Sequence, residues 1–130
     1  MILEKNSEDL IKEKRKLFSH YYDNFEKHLA SGNISKASEF LWGAISSLIY
    51  AIGITYREKV SEHRKMIEFA KRLSEDLGDA SIYWGIKKAA RLHANFYHNF
   101  YDKEDLEKDR EELDILIKKL GDLLGERLKD

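Results

Sequence analysis

Two residues in this chain have the types and spacing for acid–base work on a phosphate. They are Arg91 and His98, in the stretch Arg91-Leu-His-Ala-Asn-Phe-Tyr-His-Asn-Phe-Tyr101. Seven positions make almost two turns of a helix with 3.6 residues per turn. Both side chains then fall on one face, about 10 Å apart along the axis, with Asn95 between them. Such a set can grip a phosphate through the guanidinium while the imidazole moves a proton near neutral pH. Arg91, Asn95 and His98 are therefore the catalytic candidates. The row runs back through Lys88 to Trp84, where an exposed indole calls for a partner. Trp84, Lys88 and Tyr101 are the binding candidates. The plain alternative is a solvated helix face on which Arg91 pairs with a nearby carboxylate.

The other side of the same helix reads as core. His93, Phe96, Tyr97 and Phe100 line up with Ile82, Ile86 and Ala89. His93 is expected to be a buried, hydrogen-bonded histidine, with His63 as its neighbour or bonded to a backbone carbonyl. Many other chemistries are excluded. Without cysteine there are no disulfides, thiolate metal sites or cysteine nucleophiles. None of the five histidines follows a glutamate by three positions, as a carboxylate-bridged di-iron bundle requires. His-Glu-x-x-His, a P-loop and a dinucleotide fingerprint are all missing. His93 and His98, five apart, point to nearly opposite sides and cannot share a metal. Neither metal nor cofactor is expected.

These residues need a scaffold, and 130 residues suffice for one domain, taken as 1–130, with a real core. The formal charge of −1 supplies no global field, so any basic site must be local. Proline, cysteine and glutamine are absent and 36% of residues are charged, a profile that resembles thermophile proteins. The N-terminus lacks the order of a signal peptide. The apolar run from Phe40 to Ile54 is broken by Ser46 and Ser47 and is short for a bilayer. A cytoplasmic protein without membrane contact is the expectation.

The absence of proline and a single threonine argue against a sheet, and period-3.6 patterning recurs throughout. Five helices are expected. The first runs from about Ser7 to Ala30 on a stripe of Leu17, Phe18, Tyr21, Phe25 and Leu29. The second opens near Asn33 or Ser35 and reaches about Arg57. Its apolar surface, widened by Trp42 and Ile49, implies a central helix or a subunit interface. The third spans Ser61, as cap, to Leu77, with His63, Ile67, Ala70 and Leu77 on one face and Gly78 ending it. The fourth runs from Asp79 to Tyr101. Asp102 caps the fifth, whose seam is Leu106, Leu113, Ile117, Leu120 and Leu124, to about Lys129. Short connections imply an all-α, antiparallel up-down bundle.

Lys36-Ala-Ser-Glu-Phe-Leu-Trp-Gly-Ala, followed by His63, resembles the HEPN superfamily of small helical domains. Leu92-His-Ala-Asn-Phe-Tyr97 and the acidic last helix resemble its archaeal PaREP-type branch. The resemblance spans roughly Asn33 to Leu120. It implies a four- to five-helix bundle, a homodimer, and a nucleotidyltransferase as partner protein. Active members of the superfamily are metal-independent ribonucleases carrying Arg, four to six residues, then His on a late helix. On that pattern Arg91 would stabilise the scissile phosphate, His98 would act on the ribose 2′-hydroxyl or the leaving oxygen, and Asn95 would support them. Toxin-type members have tyrosine two residues after the histidine, where Phe100 stands here. The leading reading is thus a dimeric HEPN-like module that binds RNA, a nucleotide or a partner protein. A toxin-type endoribonuclease using Arg91 and His98 follows, then a purely structural interaction module.

Overall fold

The structure, a computed structural model, describes residues 3–129. They form five helices and no strand among the described residues: α1 (Lys5–Ala30), α2 (Ile34–Thr55), α3 (His63–Leu77), α4 (Ala80–His98) and α5 (Lys103–Leu128). The connections, 31–33, 56–62, 78–79 and 99–102, are short.

Polar residues set most of the breaks. Asn33 accepts the Lys36 N–H and caps α2, so of the two expected caps Asn33 is used. Ser35 instead sends its hydroxyl 3.0 Å to the Phe96 carbonyl, tying α2 to α4. Gly78 ends α3 in the left-handed region at φ 64°, a conformation that costs glycine nothing. Asp79 accepts the Ser81 N–H and opens α4. Asp102 and Asp105 satisfy each other's backbone at the start of α5 in a capping box. Some boundaries differ from the sequence expectation. α3 begins at His63 after Glu62, with no side-chain cap, so Ser61 is not used. α4 stops at His98, because Asn99 turns left-handed at φ 49° and carries Phe100 and Tyr101 out of the helix.

α2 lies at the centre and touches each of the other four helices. Its buried residues include Leu41, Trp42, Ala44, Ile45, Leu48, Ile49, Ala51 and Ile52, a face about half the helix wide, while Glu39, Gly43, Ser46 and Tyr50 on the other side are half-exposed. By length and composition α2 passes for a membrane span, but most of that window is buried inside the bundle. Trp42 and Ile49 are spent on the core, which decides between the two roles expected for them. Phe25 and Leu29 of α1, Phe69 and Leu73 of α3, Ile86 and Leu92 of α4, and Leu106, Leu113, Leu120 and Leu124 of α5 complete the core. Two glycines set close approaches. A Cβ on Gly43 would lie 3.1 Å from the Tyr21 ring of α1, and one on Gly85 would lie 3.0 Å from Leu116 of α5. At the far end, Arg127 donates 2.8 Å to the Thr55 carbonyl and stacks 3.8 Å from the Tyr56 ring. This fastens the end of α5 to the end of α2.

Candidate functional site

The outward row of α4 is present, with a different membership from the one expected. Trp84 leaves 64% of its surface exposed. Lys87, one turn on, is exposed, its ammonium 6.0 Å from the Tyr83 ring. Arg91, one turn further, is exposed, with its guanidinium 6.0 Å above the Tyr101 ring. Neither Lys87 nor Arg91 has a carboxylate partner among the described residues. The carboxylate pairing that the plain alternative expected for Arg91 is thus absent among the described residues, while its exposure agrees with that alternative. Trp84, Lys87 and Arg91, with Lys88, Ala90 and Ala94, line a groove of about 540 Å³ closed on the α3 side by His63 and Ile67.

Lys88 is committed elsewhere. Its ammonium bonds Glu112 at 2.5 Å and lies 3.6 Å from Asp109, both on α5. That hydrogen bond holds the Lys88 pKa above the usual lysine range and the Glu112 carboxyl below its usual range. Of the two lysines, Lys87, not singled out in the sequence, is the one without a carboxylate partner among the described residues. Its spacing of three from Trp84 and four from Arg91 was the available signal.

Asn95 does not stand in the open row. It is fully buried, donates 2.8 Å to the Ser38 hydroxyl and accepts the Tyr101 N–H at 2.6 Å. Its role is architectural, joining α2, α4 and the turn after α4. Tyr101, expected as a binding residue, is buried as well, with its hydroxyl donating to Asp109. Burial, reinforced by that bond, pushes its pKa up. What it offers the groove is a ring beneath Arg91. His98 is exposed on the last residue of α4, and no side chain orients it among the described residues.

The expected core face fails beyond Ala89. Phe96, Tyr97 and Phe100 are 38%, 68% and 49% exposed. His93 lies at the rim of the core, half-buried, its Nδ1 2.9 and 3.1 Å from the two carboxylate oxygens of Glu39 on α2. An ionised carboxylate only accepts, so Nδ1 carries the hydrogen and the neutral ring keeps its lone pair on Nε2. The neighbour is the one expected: the His63 ring is 6.4 Å away, and Trp42 lies 5.5 Å from His63 and 6.1 Å from His93. Tyr97 meets His93 edge-on at 5.1 Å. The Glu39–His93 pair was not foreseen, since 54 positions separate the two residues and no local spacing encodes it. No group of three or more His, Asp or Glu side chains among the described residues is arranged to hold a metal ion.

The model of the archaeal PaREP1/PaREP8 family matches residues 5–117, from the start of α1 into α5, and the chain belongs to that family. No curated protein and no solved structure matches it.

Proposed function

We propose that this PaREP1/PaREP8-family chain is a binding module for single-stranded RNA, with the groove along Trp84, Lys87 and Arg91 as its contact surface. The observation that carries the reading is an open indole flanked, one and two turns on, by cations with no carboxylate partner among the described residues. Bases stack on exposed aromatic rings whatever their identity, and unpaired cations take the backbone phosphates. With a net charge of −1 the whole molecule supplies no such attraction, so affinity depends on these few side chains.

Kinship with the HEPN superfamily, a homodimer, and a nucleotidyltransferase partner belong to the same proposal and rest on the sequence resemblance. Trp42 and Ile49 of α2 no longer argue for the dimer, because both are buried within one chain. The exposed Phe96, Tyr97 and Phe100 supply apolar surface in their place. A second reading, a toxin-type endoribonuclease, is favoured only by the exposure of both Arg91 and His98.

Fluorescence anisotropy with a labelled single-stranded oligonucleotide, over a salt series, tests the binding reading. Trp84→Ala should weaken binding about 5- to 150-fold, the equivalent of about 1–3 kcal/mol per stacked base. Lys87→Ala should flatten the dependence of log K on log salt by about 0.7 for the phosphate it no longer neutralises. Unchanged affinity in Trp84→Ala, or no RNA binding by the parent protein, would overturn the reading.

A further inference from the structure

Trp84 lines a second groove, between α4 and α5, of about 290 Å³. Its walls are apolar: Trp84 and Gly85 on α4 face Leu113, Ile115 and Leu116 on α5. Trp84 and Ile115, both largely exposed, are the lips, and the buried Leu113 and Leu116 are the floor. Ser81 and Lys88 mark the two ends, and seven residues of helix make the slot about 10 Å long. At the Ser81 end, the Lys119 ammonium is tied to Asp79 and to the Ser81 hydroxyl. The Lys88 end is where the slot has hydrogen bonds to offer. Lys88 donates to one oxygen of Glu112, and the other oxygen has no donor among the described residues. That bond also keeps the Glu112 carboxyl ionised, so it only accepts, while the ammonium only donates.

We propose that this slot takes a guanine base of the bound single-stranded RNA, stacked on Trp84 and read by Glu112 and Lys88. Single-stranded bases are recognised by stacking on aromatic side chains and by hydrogen bonds to their Watson–Crick edges. Guanine alone presents two neighbouring donors on that edge, N1–H and the N2 amino group, which match the two oxygens of one carboxylate. Its O6, beside N1–H, accepts from Lys88. Adenine and cytosine offer the pair one amino donor and a ring nitrogen, and uracil offers one N–H between two carbonyls, so each makes fewer bonds. The inference rests on the RNA-binding reading and deepens it. Trp84 is the wall common to both grooves, so a strand crossing α4 leaves its phosphates near Lys87 and Arg91 and turns one base into the slot. Tyr83 meets the indole edge-on at 5.0 Å and steadies the stacking surface.

The test uses the full chain and fluorescence anisotropy with labelled uridine oligonucleotides whose central position is guanosine, adenosine, cytidine, inosine or uridine. The parent protein should bind the guanosine oligonucleotide about 5- to 150-fold more tightly than the all-uridine one, the discrimination of a bidentate base contact. Inosine, which lacks only the N2 amino group, should lose most of that preference. Glu112→Gln turns one acceptor into a donor facing the donors of guanine, and should abolish the preference. The Glu112 side chain is largely exposed, and retained binding of the all-uridine oligonucleotide reports that the variant is folded. Free guanosine monophosphate has no neighbouring phosphates for Lys87 and Arg91, and should bind about tenfold or more weakly than the guanosine oligonucleotide. Equal affinity for all the oligonucleotides, a guanosine preference retained in Glu112→Gln, or guanosine monophosphate bound as tightly as the oligonucleotide would overturn the assignment and leave the RNA-binding reading standing. Failure to bind any oligonucleotide would remove both.

Discussion

Asn95 joins three segments through one amide. It donates to Ser38 on α2 and accepts from the Tyr101 N–H, while its own backbone carbonyl receives the Asn99 N–H that closes α4. Asn95→Ala would strand the Tyr101 N–H and remove the link to Ser38. A buried donor left unsatisfied costs about 1–3 kcal/mol. Thermal denaturation should therefore show a clear drop in Tm for this variant, and an unchanged Tm would remove its architectural role. The neighbouring lysines illustrate what a sequence does and does not disclose at this scale. Lys87 and Lys88 are alike in type and both fall near the outward row. Only the folded chain shows that Asp109 and Glu112 of α5 take up Lys88 and leave Lys87 open.

At the scale of elements, α4 explains why half of its face was legible. Its buried residues are Ile82, Ile86, Ala89, Leu92 and Asn95. After Ile86 they recur every three positions, and each such step turns the buried line back by about 60° around a helix of 100° per residue. By Asn95 the buried line has reached the side of Arg91, and Phe96 and Tyr97 are left to solvent. Apolar periodicity located the helix and the first half of its contact. It carried no information about how α4 crosses α2, so the fixed-face projection failed beyond Ala89. The glycines give an element-scale prediction with opposite signs. A Cβ on Gly53 would lie 2.5 Å from Val60 Cγ2 and 3.2 Å from the Glu58 carbonyl oxygen, in the turn that follows α2. Gly53→Ala should cost about 1–3 kcal/mol by overpacking, more than the gain in helix propensity returns. Gly121 and Gly125 have no such neighbours within 4 Å, so Gly121→Ala or Gly125→Ala should stabilise by about 0.5–1 kcal/mol. Urea midpoints of the three variants would separate these effects.

For the molecule as a whole, the fold class and the order of five helices were legible because α1, α2 and α5 each carry a sustained apolar stripe. The links between distant parts were not. Tyr22 of α1 donates 2.6 Å to Asp114 of α5 and receives Arg110 at 2.8 Å. Burial first, then the bond to Asp114, raises the Tyr22 pKa to about 12. An unfolded tyrosine ionises near pH 10. Between about pH 10 and 12 the unfolded chain therefore binds fewer protons, and stability must fall as pH rises through that window. Tyr101, shifted in the same direction, adds to the fall. Below pH 10 neither contributes. Urea midpoints measured from pH 9 to 12 should show the decline, and Tyr22→Phe should make it shallower.

The central position of α2 also has a consequence in time. A helix buried over much of its surface is made before α5, which supplies part of its cover. At about 5–20 residues per second, the stretch from Thr55 to Leu128 takes roughly 4–15 s to synthesise. During that interval a nascent segment hydrophobic enough to be mistaken for a membrane span has only α1, then α3 and α4, to shield it. The order of the helices thus leaves each copy an interval in which part of α2 stays uncovered, which ends when α5 docks and Arg127 closes on Thr55 and Tyr56.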